Sequence, residues 1–231
     1  MSPTIGYALH DGAHLAYRVD GDAPITLLYL RAGTISIDSY DDEPRGAAYF
    51  RRLATFSRLI RIDPRGVGLS DPLVGETSAE AMAIEALAVL DAVGADRFVV
   101  LGEMGGGPVA LELAARVPER VSGLVLVNTF ARVANDPATG YECGHPQEAV
   151  DSFLGGNFDP SAQWEVEGND DAALVAPSLA SDVFFRDWWS RVGRRGASPA
   201  TARSIQRAVV TADQRSRSEE HTSELQSQFR I

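Results

Sequence analysis

Apolar positions along the chain recur with two periods, one suited to strands and the other to helices. Short apolar runs bounded by turn formers predict strands at residues 5–9 (IGYAL), 14–18 (HLAYR), 25–30 (ITLLYL), 58–62 (RLIRI), 98–101 (FVVL) and 123–127 (GLVLV). Asp11-Gly12 between the first two is a hairpin signal. The run at 25–30 is continuously apolar, as in a strand covered on both faces. Helical spacing fills the intervals. A helix is expected at about 45–56, and Ala83, Leu87 and Leu90 give an i, i+4, i+7 face to a second. Thr77 and Glu80 have capping-box spacing before that helix, and Gly94 stops it. Val109, Leu113 and Val117 define a third helix, with Pro108 read as its opening residue. Strands alternating with helices in this way predict an α/β fold with a doubly wound, mostly parallel sheet. Ligands of such sheets bind at the carboxyl ends of the strands, where the loops with Gly33, Met104 and Asn128 would gather.

Beyond Asn128 the strand pattern stops. Residues 129–200 are polar with aromatic anchors at Phe153, Trp164, Phe184, Phe185, Trp188 and Trp189, more than an unpacked linker retains. A helical lid over the sheet is expected there, with Trp188 and Trp189 as candidate walls of a substrate pocket or as buried anchors. One more amphipathic helix is expected at 199–212. The organisation is therefore read as core sheet 1–128, lid 129–200, return to the core 201–216, and a tail 217–231. The tail stretch RSEEHTSELQS resembles the translation of a sequencing-library adapter, so 217–231 is set aside from fold reasoning.

Composition narrows the function classes. The formal net charge of -11 disfavours nucleic acid as a partner, and no apolar run approaches the roughly 20 residues that span a bilayer. The single cysteine, Cys143, excludes an internal disulfide and suits a reducing cytoplasm, where the protein is expected. Cys143 and His145 are spaced as C-x-H, but two such residues do not make a metal site, and no metal or cofactor is expected. The glycines of 102–107 lack the Gly-Lys-Ser/Thr of a phosphate-binding loop.

The chemistry centres on the turn after the strand at 98–101. A strand, a glycine-crowded turn and a helix are the setting of a G-x-S-x-G nucleophile elbow. Here it reads Gly102-Glu103-Met104-Gly105-Gly106, with methionine in place of serine. Together with the turn at Arg31–Thr34, the D-x-R-G-x-G-x-S stretch at Asp63–Ser70 and the P-E-R-V-S-G-L-V-L-V stretch at Pro118–Val127, this order resembles the amino-terminal two-thirds of an α/β-hydrolase. The likeness is nearest to hydrolase domains found alone or attached to adenylate/guanylate cyclase-type proteins.

The resemblance implies a serine–acid–histidine triad acting on ester or similar acyl bonds of a small-molecule substrate. It implies oxyanion donors at the backbone N–H groups of Gly33 and Gly105. Met104 occupies the nucleophile position, yet a thioether has no proton to lose and is a poor acyl acceptor. Its expected role is to fill an apolar pocket floor. The histidines, His10, His14, His145 and His221, all fall outside the family's catalytic position, and Asp136 is only a remote candidate for the acid. Asp63, Arg65 and Ser70 are expected to brace their loop rather than act in catalysis. The sheet is expected to lack the family's last two strands, leaving an apolar edge open to self-association. The chain is thus expected to be inactive as a serine hydrolase; the alternative is a non-catalytic binding or sensor module.

Overall fold

In a computed structural model, residues 4–142, 144–157, 172 and 176–217 are described. Six strands form one sheet: β1 (Thr4–His10), β2 (Ala13–Asp20), β3 (Ile25–Leu30), β4 (Ser57–Ile62), β5 (Phe98–Glu103) and β6 (Val121–Val127). Their order across the sheet is β1-β2-β4-β3-β5-β6. β4, β3, β5 and β6 run parallel, while the β1–β2 hairpin adds antiparallel to β4. The hairpin turn has positive φ at both Asp11 (47°) and Gly12 (74°), as the Asp-Gly signal requires. The sheet is the mostly parallel α/β architecture that the alternation of elements predicts.

Helices cover both faces because the central strands are apolar on both. Leu28 of β3, Ile60 of β4 and Val100 of β5 pack into one core layer with α2 (Ala79–Ala92) and α3 (Gly106–Arg116). Leu27, Leu59 and Leu101 point the other way, into a layer with Phe50 of α1 (Pro44–Ala54). The period-2 alternation of the strand thus divides a single apolar run between two cores.

Two helix starts differ from the sequence expectation. Ser78, not Thr77, caps α2, accepting the Ala81 N–H at 3.0 Å. The Thr77 N–H instead donates to the Ser204 hydroxyl at 2.9 Å, a contact from a helix 127 residues away that no local pattern contains. α3 begins at Gly106, two residues before Pro108, so the proline lies in the first turn rather than opening it. That position still costs no intrahelical bond, because first-turn N–H groups have no helical acceptor.

The Asp63–Ser70 turn is held from inside. The fully buried Asp63 carboxylate accepts the N–H groups of Ile37 (2.8 Å) and Leu69 (3.0 Å). The Ser70 hydroxyl donates to the Asp63 carbonyl at 2.6 Å and accepts the Ala16 N–H at 2.8 Å. Arg65 pairs with Glu85 of α2 at 2.8 Å and donates to the His10 carbonyl at 2.7 Å. All three residues brace the loop, although the carboxylate partner of Arg65 comes from a helix rather than from its own turn.

After β6, described helices are α4 (Gln147–Ser152), α5 (Val183–Gly196) and α6 (Pro199–Val210). α5 buries Phe185, Trp188 and Val192 in a separate cluster, and the Trp188 indole N–H donates to the Ser39 carbonyl at 3.0 Å. α6 returns to the sheet, adding Ala208 and Val209 to the layer formed by α2 and α3. An ion-pair network then ties the following residues back: Asp213 bonds Arg132 and Arg215, each at 2.7 Å, and Asp136 bonds Arg215 at 3.0 Å. Arg217, the first residue of the stretch set aside as a tail, pairs with Glu112 of α3 at 2.7 Å. Cys143, Trp164 and residues 218–231 lie outside the described residues, so the C-x-H spacing and the remaining tail have no structural counterpart. β6 is the last strand in the sheet order, and its Val125, Leu126 and Val127 remain 45%, 42% and 43% exposed.

Candidate functional site

The carboxyl ends of β3, β5 and β6 converge as the sheet order requires, and each is followed within two residues by a non-glycine residue in left-handed backbone. These are Ala32 (φ 46°), Met104 (φ 50°) and Asn128 (φ 48°). A side chain in this region costs about 1–2 kcal/mol, so three in one place mark a loop cluster held by its surroundings. Met104 is held on both sides. Its N–H donates to the Val127 carbonyl at 3.0 Å, while its carbonyl accepts the Gly107 N–H at 3.2 Å and the Thr129 hydroxyl at 2.5 Å.

The glycines let this turn press against β3. A Cβ on Gly106 would lie 2.0 Å from the Leu30 carbonyl oxygen, and one on Gly107 would lie 1.8 Å from the Thr129 hydroxyl oxygen. A strand, a residue in left-handed backbone and a helix therefore follow one another here, with Met104 at the turn. Gly105 is the residue before α3, and Val209 of α6 reaches to 3.2 Å of where a Gly105 Cβ would stand. Among the described residues, neither the Gly33 N–H nor the Gly105 N–H has a backbone acceptor.

The side chains around Met104 are polar, which its expected role as an apolar floor did not include. Arg31 lies with Nη2 3.7 Å from the Met104 sulfur and donates from Nη1 to the Tyr40 hydroxyl at 3.0 Å. The Tyr29 hydroxyl donates to Glu103, the residue before Met104. Burial pushes the Tyr29 and Tyr40 hydroxyls well above their ordinary range, so both are neutral donors at neutral pH. Burial opposes the Arg31 charge, but the surrounding Tyr40, Tyr29 and Glu103 oxygens outweigh it and keep the guanidinium protonated. Arg31, Tyr29 and Tyr40 were not singled out from sequence. The only signal was polar groups at the end of an otherwise apolar strand.

The other candidates are placed elsewhere. His10 lies beside Asp11 and His14 beside Asp71 at the hairpin, 3.4 and 3.1 Å from those carboxylates, and His145 pairs by backbone with Val133 and Asn135. Asp136 belongs to the arginine network, where the Arg215 hydrogen bond holds its carboxyl below the usual range. Among the described residues, no histidine bonds Asp136, and no three His, Cys, Asp or Glu side chains cluster to hold a metal. Trp188 is buried, and Trp189 is partly buried against the same cluster.

The family model for the alpha/beta hydrolase fold matches residues 51–201. The chain belongs to this family. It is 34% identical over 130 residues to the protein named carbamate hydrolase RutD of Azorhizobium caulinodans, a match covering 54% of this chain and 45% of that one. It is 41% identical over 87 residues to the 2-hydroxymuconate semialdehyde hydrolase of Pseudomonas putida, covering 37% and 31%. Among solved structures, a hydrolase from Pseudomonas aeruginosa PA01 superposes with a TM-score of 0.62 at 26% identity, covering 92% of this chain and 73% of that one. The matched segments thus span less than half of these two sequence relatives. Among the described residues, no helix is long and apolar enough to cross a membrane.

Proposed function

We propose that this chain is an α/β-hydrolase family member that has kept the elbow and the ligand-facing loops without serine-triad chemistry, and that it binds a small acyl-type molecule. The carrying observation is Met104, seated at the elbow apex in left-handed backbone with a thioether where the attacking hydroxyl would be. Attack on a carbonyl needs a group that can be deprotonated, and the thioether offers none. The N–H groups of Gly33 and Gly105, which have no acceptor among the described residues, support an oxyanion position that binds a carbonyl or carboxylate oxygen without cleaving anything. Trp188 and Trp189 fit best as lid anchors, packed in the α5 cluster with the Trp188 indole N–H on the Ser39 carbonyl. The alternative is a sensor module related to the cyclase-associated hydrolase domains that the sequence resembles.

Turnover of p-nitrophenyl acetate and labelling by a fluorophosphonate test the reading. No burst and no label are expected for the chain as it stands. Met104→Ser alone is expected to restore neither, because none of the described histidines is held by an acid beside the elbow. Stoichiometric labelling or a titratable burst with the unaltered chain overturns the proposal.

A further inference from the structure

Beside the elbow, a cavity of about 30 Å³ is walled by two arginines, Arg31 and Arg61, two tyrosines, Tyr29 and Tyr40, and Gly33. Its size suits a few heavy atoms, since a single water needs roughly 10–15 Å³ on the same measure. Two independent features of its wall point to an anion. Arg61 is 2% exposed, lies 4.3 Å over the Phe50 ring, and uses Nη2 on Asp20 (2.8 Å) and Nη1 on the Ile37 carbonyl (3.5 Å). Its Nε–H is buried with no hydrogen-bond acceptor among the described residues. Leaving a buried guanidinium donor without an acceptor is costly, so a ligand oxygen beside it is favoured. Arg31, for its part, has no carboxylate within ion-pair distance among the described residues; Glu103, its acidic neighbour in space, is taken by the Tyr29 hydroxyl.

We propose that this cavity holds the carboxylate group of a small organic acid, with one oxygen facing Arg31 and the other facing Arg61. The chemistry selects a carboxylate among anions. A planar guanidinium matches a planar two-oxygen acceptor, and the Tyr40 hydroxyl adds a donor in reach of the Arg31 fork. The apolar remainder of the wall, Ile35, Ile37 and Pro64, suits a short alkyl chain rather than a polar one. The inference rests on the binding reading above, and it names the ligand class for that site: a short-chain carboxylic acid, the kind of product that acyl-bond cleavage releases.

Calorimetric titration with sodium acetate, at ionic strength held constant with chloride, tests the site. Saturable one-to-one binding is expected, with at least a tenfold loss in Arg31→Met and a smaller loss in Tyr40→Phe. Arg51→Met, which alters an exposed arginine on α1, leaves it unchanged. Arg31→Lys keeps the charge but not the fork; it is expected to lose affinity as well, and it serves if Arg31→Met does not fold. Absence of saturable binding overturns the site, as do retained affinity in the Arg31 variants and equal competition by chloride. Ester turnover by the unaltered chain, with acetate binding intact, overturns the functional proposal alone. Absent acetate binding without turnover overturns only the carboxylate site.

Discussion

Substituting alanine for Gly106 tests the claim that the elbow is pressed onto β3. The new Cβ would stand 2.0 Å from the Leu30 carbonyl oxygen, 2.3 Å from the Leu30 carbonyl carbon and 2.7 Å from the Arg31 nitrogen. All three neighbours are backbone, so no side chain can rotate away. Real Cβ contacts stay beyond about 3 Å, so α3 must retreat by about 1 Å from a strand paired on both sides by β4 and β5. Overpacking a core by one carbon costs about 1–3 kcal/mol, and a rigid backbone neighbour places this case at or above the top of that range. Alanine returns at most about 1 kcal/mol of helix propensity. The net expectation is a loss of about 2 kcal/mol or more, or roughly 4–8 °C in Tm for a chain of this size. Gly33→Ala is the control: its Cβ meets nothing within 4 Å and its φ is not positive, so a change within about 0.5 kcal/mol is expected. Urea titration of the three proteins measures both. A Gly106→Ala variant as stable as the parent refutes the close approach, and with it the elbow geometry.

Two further outcomes follow from burial and exposure. Burial pushes the Asp63 carboxyl up to about 6, despite the Leu69 and Ile37 N–H bonds that favour its charge. The folded state therefore binds the proton more tightly than the unfolded state. Its stabilising contribution is complete below the unfolded value near 3.8 and is lost as pH rises through about 6. About two units correspond to about 3 kcal/mol, so stability relative to Asp63→Asn should rise as pH falls from 7 to 4; a flat difference in urea titrations contradicts this. At the sheet edge, the exposed Val125–Val127 segment of β6 is expected to drive self-association, and Leu126→Lys should shift the chain toward monomer in light scattering behind a sizing column. A monomeric parent at high concentration sinks that expectation.

Much of the sheet was legible in the chain itself, because burial on two faces leaves an unmistakable apolar run. The strand predicted at 25–30 is Ile25–Leu30, and the one predicted at 58–62 differs from Ser57–Ile62 by a single residue. The tight turn after β5 was legible because close backbone approach demands glycine at fixed spacing, and Gly102, Gly105, Gly106 and Gly107 meet that demand whatever stands at Met104. What sequence could not decide was any choice between neighbours that both satisfy the local rule. Thr77 and Ser78 can each cap α2, and the Ser204 hydroxyl, arriving from α6, settles it by occupying the Thr77 N–H.

The polar lining of the site belongs to that second kind. Arg31 and Tyr29 lie at the end of β3, Tyr40 in the loop beyond it, Arg61 on β4 and Glu103 on β5. None was singled out as a site residue from its own segment, and only the parallel pairing of β3 with β4 and β5 brings them together. Local chain chemistry determined the elements and the glycine-crowded turn around Met104, since both depend on residues adjacent in sequence. The arrangement of charge and cavity around the elbow was decided by tertiary structure, since a guanidinium's partners and its exclusion from water depend on which strands lie side by side.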